Sequence, residues 1–153
     1  MKISAYATIF SGYNASGLAL IARDDHGDLI QARTQYLPGM VSSIMAETLA
    51  IKEALSCIKS KGWSKVVVES DCLTVIQAIR SKTPMVSPLG RVVQSCRNML
   101  VESNTVSLFF VKRSANMAAH ELARLSCSFS DRVFDSISIP FEVQNVLERD
   151  LEF

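Results

Sequence analysis

The chain has 153 residues, of which 48% are hydrophobic and 20% charged, with a formal net charge of +1. That balance describes one globular domain with a substantial core and excludes a disordered chain. The net charge argues neither for nor against nucleic acid, and no run is long and apolar enough to span a membrane.

Residues 2–10 form a short β-like run, 12–16 a turn, and 17–22 a second strand. Asp24-Asp25-His26-Gly27 is a strong turn signal, and residues 29–36 give a third strand. Together they predict an antiparallel meander, in which Gly12, Gly17 and Gly27 do turn work. The N-terminus turns polar at Ser11-Gly12, so no signal peptide is expected.

After Pro38-Gly39 the period changes. Val41, Ile44, Thr48, Ile51, Leu55 and Ile58 step by three and four along one helical stripe. Lys59 and Lys61 suit its C-terminus, and Gly62 ends it. Residues 63–68 form a strand whose consecutive valines suit a position covered on both faces. Cys72, Val75, Ile76 and Ile79 mark a second, short helix. A loop with Pro84 follows. Ser87-Pro88 is an N-cap followed by a first-turn proline, opening a third helix through Leu100. Residues 105–111 give a fifth strand and 115–129 a fourth helix, whose Ala119, Ala123 and Ser126 are small enough to sit close to a sheet. The order predicts an α/β fold: a five-stranded mixed sheet, three meander strands then alternating helices and strands, with helices on both faces.

Residues 1–128 read as the domain, and 129–153 as an acidic extension packed on it or trailing it. In that extension, 137–143 suit an extended segment and 146–151 a short helix. Cys57, Cys72, Cys96 and Cys127 lack CxxC spacing and fall in helix-like segments. This is the pattern of buried thiols in a reducing, intracellular compartment, nucleus or cytoplasm.

Two acids stand out. At about 100° per residue, Glu47 lies on the border of its helix's apolar stripe, where a carboxylate needs a partner: a basic residue or a cation. Asp71 ends a strand, where ligands collect in open α/β sheets; alternatively, Ser70 or Asp71 caps the next helix. Between Cys72 and Val101, Arg80, Lys82, Arg91 and Arg97 stand without an acid. They form a solvated helix face or a phosphate-facing surface.

The stretches AETLAIKEAL at 46–55, VVVESD at 66–71 and RSANMAAHELAR at 113–124, with GLALIARDDHG at 17–27, resemble the ribonuclease H-like domains of plant genomes and retroelements, associated with reverse transcriptases. The resemblance covers about residues 2–128. It implies a site where four carboxylates hold two Mg²⁺ ions, which activate water and stabilise the leaving oxygen. Glu47 matches the first-helix glutamate and Asp71 the fourth-strand aspartate. Tyr6 follows the first-strand pattern where an aspartate is expected, and His120 takes the place of the last one. A phenol of pKa about 10 is neutral at pH 7, and Mg²⁺ prefers oxygen to imidazole. The catalytic positions Glu47, Asp71 and His120 therefore keep two carboxylates, with Glu47 and Asp71 left to bind Mg or Mn weakly.

The resemblance also implies contacts to RNA–DNA hybrid or RNA through Ser42, Ser43 and Asn116. Arg80, Lys82, Arg91 and Arg97 add phosphate contacts, and recognition is by shape without sequence specificity. His120 also reads as an ordinary helix histidine bonded to Asn116. The expectation is a monomeric, intracellular nucleic-acid-binding domain with impaired catalysis. Its rivals are an active Mg- or Mn-dependent hybrid ribonuclease and a non-catalytic interaction scaffold.

Overall fold

The computed structural model describes residues 1–129 and 131–151. Strands β1 (Lys2–Phe10), β2 (Ala15–Arg23) and β3 (Leu29–Pro38) form the expected antiparallel meander. Helix α1 (Ser43–Lys61) leads to β4 (Val66–Ser70), followed by α2 (Leu73–Arg80), α3 (Pro88–Glu102) and β5 (Val106–Phe110). Then come α4 (Met117–Arg124), β6 (Val133–Phe134) and α5 (Phe141–Leu151). The sheet has six strands in the order β5-β4-β1-β2-β3-β6, with β4 parallel to both β1 and β5.

The sixth strand corrects the five-stranded expectation. β6 pairs Phe134 with Ala32 and Val133 with Arg33. Two residues carry no readable alternation, and they are held by neighbours: the Thr34 N–H donates to the Arg132 carbonyl at 2.9 Å, and the Thr34 hydroxyl donates to the Phe129 carbonyl. Helix α5 starts at Phe141, directly after Pro140, where an extended segment was expected. Asp135 organises the preceding turn, its Oδ1 accepting from the Ile137 and Ser138 N–H groups.

Apolar strands face two cores. All nine residues of β2 are buried; Leu18, Leu20 and Ala22 face α1–α3, whereas Ala19 and Ile21 face α4 and α5. This is a strand covered on both sides. Phe134 and the α5 residues Val143, Val146 and Leu147 are buried in the second core, so the C-terminal segment supplies part of it.

The ends of α1 follow the local chemistry. Ser42 Oγ accepts from the Met45 N–H at 3.1 Å, and Gly62 adopts φ 66°, its N–H reaching the Ile58 and Lys59 carbonyls. That left-handed conformation suits glycine. The fourth helix is shorter than the predicted 115–129: one-turn 3₁₀ segments, Arg113–Ala115 and Leu125–Cys127, flank α4. β5 is an edge strand, with Phe109 and Phe110 exposed.

Gly17 does close-packing work, not turn work. A Cβ there would lie 2.1 Å from Ser126 Oγ and 2.6 Å from the Ala123 carbonyl. Gly17→Ala should therefore push α4 off β2 and cost about 1–3 kcal/mol, read as a lower urea midpoint at unchanged slope.

Candidate functional site

Parallel pairing of β1 with β4 sets Ser4 level with Glu69. Two residues further along each strand, Tyr6, midway along β1, comes level with Asp71, just past the end of β4. Asp71 does not cap α2. The N-cap is Cys72, which makes no side-chain cap bond, and its N–H is taken by Ser70 Oγ at 3.2 Å. The plain explanation for this acid is thereby removed.

Glu47 approaches the same place from α1. It is 9% exposed, and among the described residues its Oε2 has no hydrogen-bond partner. Burial, reinforced by the Asp71 charge, pushes its carboxyl up to about 8; an Ala7 backbone hydrogen bond and Arg113 offset part of this. Asp71 is also raised, mainly by burial, with Arg113 opposing. Glu47 thus feels the Asp71 charge, and Arg113 opposes both shifts without, among the described residues, an ion pair to either acid.

Arg113 is the residue that sequence reasoning missed. Its guanidinium lies 2.9 Å from His120 Nε2 and 3.3 Å from Nδ1, and 5.7 Å from the Tyr6 ring centre. Tyr6 and His120 meet edge to face, 4.5 Å between centroids. Burial, then Arg113, lowers the His120 pKa, favouring a neutral imidazole, which can accept from Arg113 at the nitrogen that carries no proton. Burial raises the Tyr6 phenol. The positions matched to the lost carboxylates thus form a neutral pair under a guanidinium. The available signal was the opening arginine of the R-x-x-N run, quoted for the resemblance but given no role.

Other expected contacts are distributed differently. Ser42 and Ser43 are exposed at the start of α1. Asn116 is 1% exposed and donates from Nδ2 to the Ala5 carbonyl at 3.1 Å, tying the start of α4 to β1. It cannot reach a nucleic acid from there, and its side chain does not bond His120. Asn116→Ala should cost about 1–3 kcal/mol by stranding a buried carbonyl, measurable by denaturant unfolding.

Arg97 straps the α2–α3 connection, donating to the Ala78 carbonyl at 2.7 Å and the Thr83 carbonyl at 2.9 Å. Arg80 donates to the Leu108 carbonyl and lies over Phe109. Arg80, Lys82 and Arg97 share a concavity between α2 and α3; Lys82 and Arg91 are exposed.

With this geometry in place, the profile of the reverse transcriptase-like family matches residues 6–126. The chain belongs to the reverse transcriptase-like family. Solved structures agree on its ribonuclease H-like fold. Ribonuclease H1 from the archaeon Halobacterium salinarum superposes with a TM-score of 0.74 at 17% identity, covering 84% of this chain and 98% of that one. LC11-RNase H1, solved in complex with an RNA/DNA hybrid, gives 0.71 at 17% identity, covering 84% and 99%. The foamy viral protease-reverse transcriptase, also solved with RNA/DNA hybrid, gives 0.70 at 13% identity, over 80% of this chain and 19% of that one. No curated protein matches the sequence. No helix among the described residues is long and apolar enough to cross a membrane, and the four cysteines are free thiols.

The donor set of this reverse transcriptase-like domain does not fit two divalent ions. Mg²⁺ takes six oxygen ligands, one or two of them protein carboxylates and the rest waters or substrate phosphates, so two ions call for more carboxylates than the pair Glu47 and Asp71. Among the described residues no group of three or more His, Cys, Asp or Glu side chains is placed to hold a metal. Tyr6 is neutral, and the His120 lone pair is engaged by Arg113. The Oε2 of Glu47, unpartnered among the described residues, and the nearby Asp71 carboxylate are the pair that would hold one hydrated ion.

Proposed function

We propose that this reverse transcriptase-like domain binds RNA–DNA hybrid or RNA where β4 ends beside the middle of β1, and that it is impaired as a nuclease. The observation that carries the reading is the Arg113 guanidinium lying against Tyr6 and His120, where the resemblance calls for two carboxylates. A site built to gather two cations would need negative charge there; this one holds a fixed positive charge. The fold shared with two hybrid-bound structures supports the substrate class; exposed Ser42 and Ser43 at the start of α1 offer polar contacts, and exposed Lys82 and Arg91, after α2 and on α3, offer cationic ones.

The test combines hybrid binding and cleavage in Mg²⁺ and in Mn²⁺. Binding that weakens steeply with salt, with no cleavage above a protein-free control, is the expected result. Cleavage that disappears in Glu47→Ala or Asp71→Asn would overturn impairment. Failure to bind hybrid, duplex RNA and single strands at low salt would favour an interaction scaffold instead. One observation favours the second reading, an active metal-dependent ribonuclease: the unpartnered Oε2 of Glu47 beside Asp71 is what one bound cation would satisfy.

A further inference from the structure

We propose that the notch beside the two replaced carboxylates is a phosphodiester subsite that works without a metal ion; this rests on the nucleic-acid reading and assigns its contact point. An open notch of about 530 Å³ lies between the turn after β1 and the outer side of α4, with Thr8, Phe10, Tyr13, Arg113, His120 and Arg124 in its wall. Sites for small ligands run to roughly 300–1,000 Å³, so a nucleotide segment fits.

Its charge is inverted relative to a metal site. Arg113 and Arg124 are exposed and, among the described residues, neither is paired with a carboxylate. Among the described residues no acid lines the notch. Glu47 and Asp71 act on this region from behind Tyr6, and Glu121 acts on His120 from the same helix. Guanidinium forks match phosphate oxygens in pairs. His120 sits against one fork, and Tyr13, 79% exposed on the turn, offers a ring on which a base can stack. A phosphate held here meets two arginines and an aromatic face, with no cation needed to bridge acid to acid.

The test is fluorescence anisotropy with a labelled RNA–DNA hybrid in excess EDTA, on variants whose thermal unfolding matches the parent's. Binding persists in EDTA. Arg124→Gln and Arg113→Gln each weaken it about tenfold and lower the salt slope by about one, while Arg113→Lys keeps the slope but loses part of the affinity, because it keeps the charge without the fork. Parental affinity and slope in both glutamine variants would overturn the subsite and leave hybrid binding standing. Binding lost in EDTA and restored by Mg²⁺ would also overturn it. If the parent binds no hybrid, the nucleic-acid reading fails by itself. Inorganic phosphate titrated against the arginine side-chain NMR signals then decides the subsite: shifts abolished by Arg124→Gln uphold it, and no shifts overturn it.

Discussion

Glu47→Gln is expected to make the folded protein more stable at pH 9 in EDTA, and to leave it nearly unchanged at pH 5. In the folded chain, burial and the Asp71 charge hold the Glu47 carboxyl protonated up to about pH 8, whereas its ordinary value is 4.5. The folded state therefore keeps a proton that the unfolded chain releases. Stability from this group is fully present below about pH 4.5 and is lost as the pH rises through 8. At 1.36 kcal/mol per unit, the parent should lose on the order of 3–5 kcal/mol across that window. Glutamine carries no charge to bury and should flatten the profile. Thermal unfolding at half-unit pH intervals checks it. A glutamine variant no more stable than the parent at pH 9 would mean that the charge is compensated in the fold. Repeating the scan with Mn²⁺ adds a second reading: a cation on the acid pair would raise the parent's midpoint and not the variant's.

Cutting the chain after Phe129 should abolish cooperative folding. The removed segment carries Phe134, Val143, Val146 and Leu147, all buried against β2, β3 and α4. At about 1.5–3 kcal/mol for each large apolar side chain, their loss approaches the typical 5–15 kcal/mol stability of a whole domain. The cut also uncovers Ile21 and Leu122 and leaves the β3 edge unpaired. The expected product retains secondary structure by far-ultraviolet circular dichroism but loses its sharp melt and binds hydrophobic dye. A truncated chain melting like the parent would show that residues 1–129 form a complete core unaided.

The meander, the first three helices and the placing of one acid at a strand end and one at the border of a helical stripe were legible because they rest on local signals: turn glycines, a three-four stripe, a Ser-Pro cap. Glu47 and Asp71 were found for the same reason, each lying at a place where an isolated acid needs explaining. What sequence could not give depends on distant partners. Asp71 and Ser70 offered equal caps until the backbone placed Cys72 at the cap position. Asn116 and Arg97 look like free polar groups, but each is consumed by a backbone carbonyl from another element. Arg113 acquires its role from Tyr6 on β1 and His120 one helix turn beyond Asn116. β6 is too short for any periodicity to declare it.

The edge strand β5 has a consequence for how this chain behaves in concentrated solution. Its run Val106–Phe110 is uncharged and rich in strand-forming residues, the kind of segment that templates another strand when left open. The Val111 N–H and the Thr105 carbonyl turn inward to β4, so by alternation the Leu108 carbonyl turns outward. Arg80 sits on that carbonyl and spreads over the Phe109 ring. A residue whose sequence context suggested phosphate thus acts as a gatekeeper: it places a charge on the open rim of the sheet and keeps one copy of the domain from extending its sheet into the next.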